Sequence, residues 1–204
     1  MNDLILQQGS GAYEPLLRVS EPLTVEYARL HGMDFKACFC NVGARWHTNE
    51  KWLLNLQAMA NTGRLIGMWD ADLLAVGRED WREAMGDADF AAVMNESGEL
   101  NCGAYFIRDT TKAIAFLKTC VMRLEVAVVS AGSIYVDQRV LNQELCFSGL
   151  KVKTLNRRWN DYGFACGQTD GPVQIKGFHS LETTPDQKLR HMQQYLVRRR
   201  DEAA

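Results

Sequence analysis

Asp70-Ala71-Asp72 ends one apolar run, Leu65-Ile66-Gly67-Met68-Trp69, and precedes another, Leu73-Leu74-Ala75-Val76. Two carboxylates one residue apart, just past a buried strand, are placed to hold a divalent cation against a diphosphate. In an open α/β sheet the carboxyl ends of the strands are also where ligands bind. Spacing alone decides little. With 13 Asp in 204 residues about one such pair arises by chance, and the chain holds a second, Asp87-Ala88-Asp89. Position separates them: the first follows its strand onto an exposed strand end, whereas the second precedes an expected strand and belongs at the opposite edge of the sheet.

The elements that must position these residues are legible around them. Leu4-Ile5-Leu6 reads as a short strand ending in a flexible loop, Gln7-Gln8-Gly9-Ser10-Gly11. Ser20 or Glu21 with Pro22 marks a helix start, the helix running through Leu30 to Gly32. Phe35–Cys40 reads as a second strand. Thr48 can cap a helix with Lys51, Trp52, Leu53, Leu56 and Met59 at helical spacing, closed by Asn61-Thr62-Gly63. Further strands are expected at Phe90–Met94, Ala104–Ile107, Lys151–Leu155 and Val173–Lys176. Helices are expected at Thr111–Val129, Val136–Phe147 and about 185–203, the last opened by Thr184-Pro185. Strands alternating with helices imply βαβ units. The expectation is α/β: one Rossmann-related domain over 1–204, its mixed, mostly parallel sheet flanked by helices.

Composition narrows the functional classes. With 47% hydrophobic and 24% charged residues the chain can bury a full core, and a net charge of −2 supplies no global field for nucleic acid or an anionic membrane. No apolar run approaches the roughly 20 residues of a membrane span. Met1-Asn2-Asp3-Leu4-Ile5-Leu6 lacks the basic start of a secretory leader. None of the six cysteines forms a Cys-x-x-Cys pair, and several sit in apolar stretches, which reads as a reduced, cytoplasmic protein.

Four segments, in order, resemble the glycosyltransferases of the GT-A, nucleotide-diphospho-sugar transferase fold. Leu65–Leu74 resembles their Asp-x-Asp region, and Leu100-Asn101-Cys102-Gly103-Ala104-Tyr105-Phe106-Ile107-Arg108 their Asn-x-Gly strand. Tyr135-Val136-Asp137-Gln138-Arg139-Val140-Leu141-Asn142 resembles the Asp-Gln element of retaining members. Gln174-Ile175-Lys176-Gly177-Phe178-His179 resembles the late segment whose histidine completes the metal shell.

The resemblance implies a metal-dependent glycosyltransferase that moves a sugar from a nucleotide diphosphate, expected to be a UDP-sugar, to an acceptor hydroxyl with retention. Asp70, Asp72 and His179 would hold the metal. Carboxylate and imidazole donors suit Mn²⁺ and tolerate Mg²⁺. Asn101 and Asp137 would line the sugar pocket, with Gln138 near the reacting face. Gln8, Gly9 and Tyr13 would meet the nucleotide, Tyr13 by stacking on uracil, and Lys176 would pair with the diphosphate. Trp159, in a polar stretch, is the tryptophan expected at the acceptor site.

Each residue also has an ordinary reading: a hydrogen-bonded surface histidine, a turn asparagine, a strand-end lysine, or, for Asp137, a carboxylate favoured at a helix N-terminus. The acceptor stays open among a glycan, a lipid-linked sugar, a protein and a modified nucleobase in DNA. Two other functions compete. Leu6–Leu16 superficially resembles the Gly-rich loop of sugar-phosphate nucleotidylyltransferases, although no Arg or Lys follows Gly11 closely. A non-catalytic nucleotide-sugar-binding protein is the other.

Overall fold

The computed structural model describes residues 1–40, 47–131, 136–162, 167–178 and 184–202. The strands are β1 (Leu4–Ser10), β2 (Asp34–Cys40), β3 (Leu65–Asp70), β4 (Leu73–Ala75), β5 (Phe90–Met94), β6 (Leu100–Arg108), β7 (Val152–Leu155) and β8 (Ile175–Gly177). The helices are α1 (Glu14–Leu30), α2 (His47–Ala58), α3 (Trp81–Met85), α4 (Thr111–Ala131), α5 (Val136–Leu145) and α6 (Pro185–Glu202).

Six strands form one sheet in the order β2-β1-β3-β6-β5-β7. Every neighbouring pair is parallel except the two that β6 makes with β3 and β5, so β6 alone runs backward. Alternation along the strands sends successive side chains to opposite faces. Leu4, Leu6, Ile66, Met68, Tyr105 and Ile107 pack with Trp52 of α2, Leu117 of α4 and Leu141 of α5. Ile5, Leu65, Trp69, Ala104 and Phe106 pack on the other face with Tyr27 of α1 and Trp81 of α3. This is the mostly parallel, helix-flanked α/β sheet expected from the sequence.

Three departures from expectation bear on the sheet edge described below. β1 runs through Gln7–Ser10, where a loop was expected, because Gln7 is fully buried and its amide is satisfied on both sides. Thr24 Oγ1 donates to Gln7 Oε1 at 2.9 Å, and Gln7 Nε2 donates to Asp70 O at 3.1 Å. α1 begins at Glu14 rather than beside Pro22. Its buried face starts at Leu16 and Leu17, and Pro15 stands in the first turn, where no N–H is needed, while Pro22 lies inside the helix. β6 starts at Leu100 rather than Ala104, which takes Asn101 into the sheet.

β4 and β8 form a separate antiparallel ribbon, Leu73 opposite Gly177 and Ala75 opposite Ile175. It carries the chain from the end of β3 to the segment before α6, which lies on α1 through Met192, Leu16 and Leu17.

Candidate active site

Because β6 is reversed, its first residues lie at the same edge as the last residues of β1 and β3. Gln8 is in register with Asp70, and Trp69 with Ala104. The turn at 70–73 is fixed from three directions. Gln7 Nε2 donates to both Asp70 O and Leu73 O, at 3.1 and 3.3 Å. Phe178 N donates to Asp72 O at 3.0 Å. Gly9 presses against it so closely that a Cβ there would lie 3.0 Å from Ala71 Cβ and 2.8 Å from Leu17 Cβ. Glycine at position 9 thus serves packing.

The two carboxylates are not equally accessible. The side chain of Asp70 is 33% exposed but that of Asp72 only 4%, which corrects the expectation of an exposed strand end. Each accepts an ammonium from a distant helix. Lys51 Nζ of α2 lies 3.1 Å from Asp70 Oδ1, and Lys188 Nζ of α6 lies 2.6 Å from Asp72 Oδ2.

Lys51 joins two of the motifs. The same ammonium stands 3.4 Å from Asp137 Oδ2 and donates to Cys102 O at 2.9 Å. Burial acts to discharge it, but Asp70 and Asp137 outweigh burial and hold its pKa well above the ordinary lysine value. The Cys102 thiol donates to Asp137 Oδ2 at 3.1 Å. Burial, reinforced by the Asp137 charge, pushes that thiol far up, so it stays protonated at neutral pH.

Asn101 sits beside this pair. Its Oδ1 accepts from Gly103 N at 2.8 Å and from Asn160 Nδ2 at 3.0 Å, while its Nδ2 donates to Gln138 Oε1 at 3.3 Å. Gln138 Nε2 donates in turn to Glu99 Oε2 at 3.1 Å. Asn142 locks α5 to β6 by accepting from Leu100 N and donating to Leu100 O, at 2.8 and 2.9 Å.

The fold therefore gathers Gln8, Gly9, Asp70, Asp72, Asn101, Asp137 and Gln138 at one edge of the sheet. Tyr13, immediately before α1, joins them through Lys188, whose ammonium lies 5.4 Å from its ring centroid. Lys176 stands apart: its ammonium lies 2.6 Å from Asp161 Oδ2, on a carboxylate that Arg157 Nε also meets at 2.7 Å. Burial would raise the Asp161 pKa, yet these two cations hold it below the ordinary carboxylate value. His179 lies outside the described residues. Trp159 is 2% exposed in the core with Tyr162 and Ile175, so its polar sequence neighbours misplace it at an acceptor site.

Among the described residues no three His, Cys, Asp or Glu side chains cluster as a metal site. The donor chemistry of the triplet nevertheless suits a hard divalent cation, and Asp72 already holds a cation, the Lys188 ammonium. Asp70 and Asp72 are the hard oxygen donors that such a cation takes.

Lys51, Lys188, Gln7, Cys102 and Asn160 belong to this network and were not singled out for it from the sequence. Two left a signal. Lys51 shares the helical spacing of Trp52, and Lys188 lies one turn from the fully buried Met192, so each is a lysine on an apolar helical face.

No family model and no curated protein sequence matches the chain. Solved structures do. A glycosyltransferase involved in glycosylation of the major capsid of PBCV-1 superposes with a TM-score of 0.68 at 12% identity, covering 94% of this chain and 99% of that one. The galactosyltransferase LgtC, in complex with donor and acceptor sugar analogues, superposes with a TM-score of 0.58 at 13% identity, covering 95% and 94%. The apo form of the glycosyltransferase GlyE from Streptococcus pneumoniae TIGR4 gives 0.56 at 12% identity, over 97% of this chain and 64% of that one. Sequence identity this low speaks to architecture alone. The chain has the GT-A-like fold of these glycosyltransferases.

Proposed function

We propose that this chain is a retaining glycosyltransferase that takes its sugar from a UDP-linked donor with a divalent cation, Mn²⁺ or Mg²⁺, at the triplet. The carrying observation is the double ion pair of Lys51. It ties Asp70 to Asp137, 67 positions further on, so that the Asp-x-Asp and Asp-Gln elements meet at one sheet edge.

In this reading Asp70, Asp72 and His179 hold the cation, which offsets the charge that develops on the leaving diphosphate. Gln8, Gly9 and Tyr13 meet the nucleotide at the end of β1. Asn101 and Asp137 hold sugar hydroxyls, exchanging hydrogen bonds they now make within the protein. Gln138, one residue beyond Asp137 and bonded to Asn101, lies toward the reacting face. Lys176 meets the diphosphate by leaving Asp161. The acceptor is a hydroxyl-bearing glycan, lipid-linked sugar, protein or nucleobase.

The nucleotidylyltransferase reading loses support, since the stretch that resembles a Gly-rich loop is β1 through Ser10 and α1 from Glu14, with only the short turn Gly11–Tyr13 between them. Incubation with a panel of UDP-sugars and Mn²⁺ tests the proposal. Slow hydrolysis releasing UDP is expected, with the sugar retaining its anomeric configuration on transfer. Pyrophosphate release from a nucleoside triphosphate and a sugar phosphate would overturn it in favour of nucleotidyl transfer, and binding without turnover would mark a binding protein.

A further inference from the structure

We propose that Lys188 and the divalent cation compete for Asp72, so that the chain's own ammonium occupies the carboxylate until metal displaces it. The inference rests on the metal-site reading above and adds an internal competitor to it.

Lys188 Nζ lies 2.6 Å from Asp72 Oδ2, with side chains 10% and 4% exposed. A divalent cation bound about 2.1 Å from a carboxylate oxygen would put its two charges on a group that already carries an ammonium. Like charges so close, in a site water barely reaches, repel strongly. Each cation therefore weakens the other's hold on Asp72.

α6 itself need not move for the exchange. Met192 is fully buried against Leu16, Leu17, Ala71 and Leu74, and Arg199 Nη1 donates to Val76 O at 2.8 Å, so the helix is anchored beyond Lys188. Only the lysine side chain must swing, and four torsions allow it. The Tyr13 ring, already 5.4 Å from the ammonium, gives the charge a second seat. Lys51 differs: it is buried between Asp70, Asp137 and a carbonyl, so Asp137 still offsets its charge when a cation reaches Asp70 and Lys51 stays in place.

The test is calorimetric titration of the nucleotide-free protein with MnCl₂, paired with thermal unfolding with and without Mn²⁺. Lys188→Met should bind Mn²⁺ at least tenfold more tightly than the wild type. Its melting temperature should fall without metal, because Asp72 loses the Lys188 ion pair, and recover when Mn²⁺ is added. Arg190→Met removes an exposed charge from the same helix and should change the affinity less than twofold, which separates competition from general electrostatics.

Equal or weaker Mn²⁺ binding by Lys188→Met, with binding abolished by Asp72→Asn, would overturn the competition and leave the metal site standing. Full-strength binding by Asp72→Asn would overturn both. Lys188→Gln, which keeps a neutral donor toward Asp72, repeats the titration should the methionine variant fail to fold.

Discussion

The same tripeptide, Asp-Ala-Asp, stands at opposite edges of one sheet and does two different things. At 70–72 it follows β3, and its carboxylates are met by ammonium groups from two helices, one of them 116 positions away. At 87–89 it precedes β5, and the partners are local to that edge. Asp87 is 86% exposed and pairs with Lys151, while Asp89 Oδ2 accepts from Lys151 N at 2.8 Å. The central alanines are equally buried, Ala71 at 3% and Ala88 at 2%. Composition and spacing therefore decide nothing here. Strand direction decides, because it selects which helices and loops converge on the pair.

Five substitutions sharpen or break that contrast. Lys51→Met should have the largest effect. It strips the shared partner from Asp70 and Asp137 at a buried position, which costs about 3–5 kcal/mol in denaturant unfolding. Adding Asp137→Asn to the same chain should restore part of the loss; two additive losses would mean the charges are not coupled.

Asp72→Asn comes next. Proposed sugar transfer should fall on the order of 10³-fold, or about 4 kcal/mol, in an assay of UDP release. Turnover at the wild-type rate would remove the triplet from the mechanism.

Asp109→Asn shows that burial alone does not make a site. Asp109 lies at the far edge, fully buried, accepting from the backbone N–H groups of Ala60, Asn61 and Thr62 and from the Thr62 hydroxyl. Burial would raise its pKa, but these donors hold it below the ordinary carboxylate value. A carboxylate depressed in the folded state contributes stability above the unfolded value of about 3.9, and loses it as pH falls through the lower folded value. The substitution should therefore cost about 1–3 kcal/mol at pH 7 and progressively less below pH 4. A pH-independent difference would assign the loss to packing.

Asp87→Asn should do least. Turnover should be unchanged and the denaturant midpoint the same as that of the wild type. A large loss of transfer would mean the wrong triplet has been chosen.

Much of the architecture is readable in the sequence, because the continuous apolar runs of β3 and β5 mark strands buried on both faces and the helical spacing of α2 and α6 marks the faces that meet the core. The link from Asp70 to Asp137 is not, since it runs through Lys51, which belongs to neither motif. Other features are not either. Gln7 looks like a loop residue until Thr24 and Asp70 are seen to satisfy its amide inside the sheet. Trp159 lies among polar neighbours, yet a single 3-10 turn at 157–159 rotates it into the core while Arg157 and Arg158 face their carboxylate partners. Lys51 and Lys188 need three-dimensional neighbours to explain why a lysine occupies an apolar helical face. Local pattern reports burial. It does not report which charge will be waiting there.

The protonated thiol between Lys51 and Asp137 gives the molecule a built-in clock. Alkylating reagents attack thiolates, so Cys102 should react only during excursions in which β6 parts from α2 and α5. Cys146, exposed at the end of α5, meets the same reagent without any such opening. The ratio of their labelling rates reads the frequency of site opening in one experiment, with Cys146 correcting for reagent and pH. Anything that tightens the charge network should slow the first reaction and leave the second unchanged.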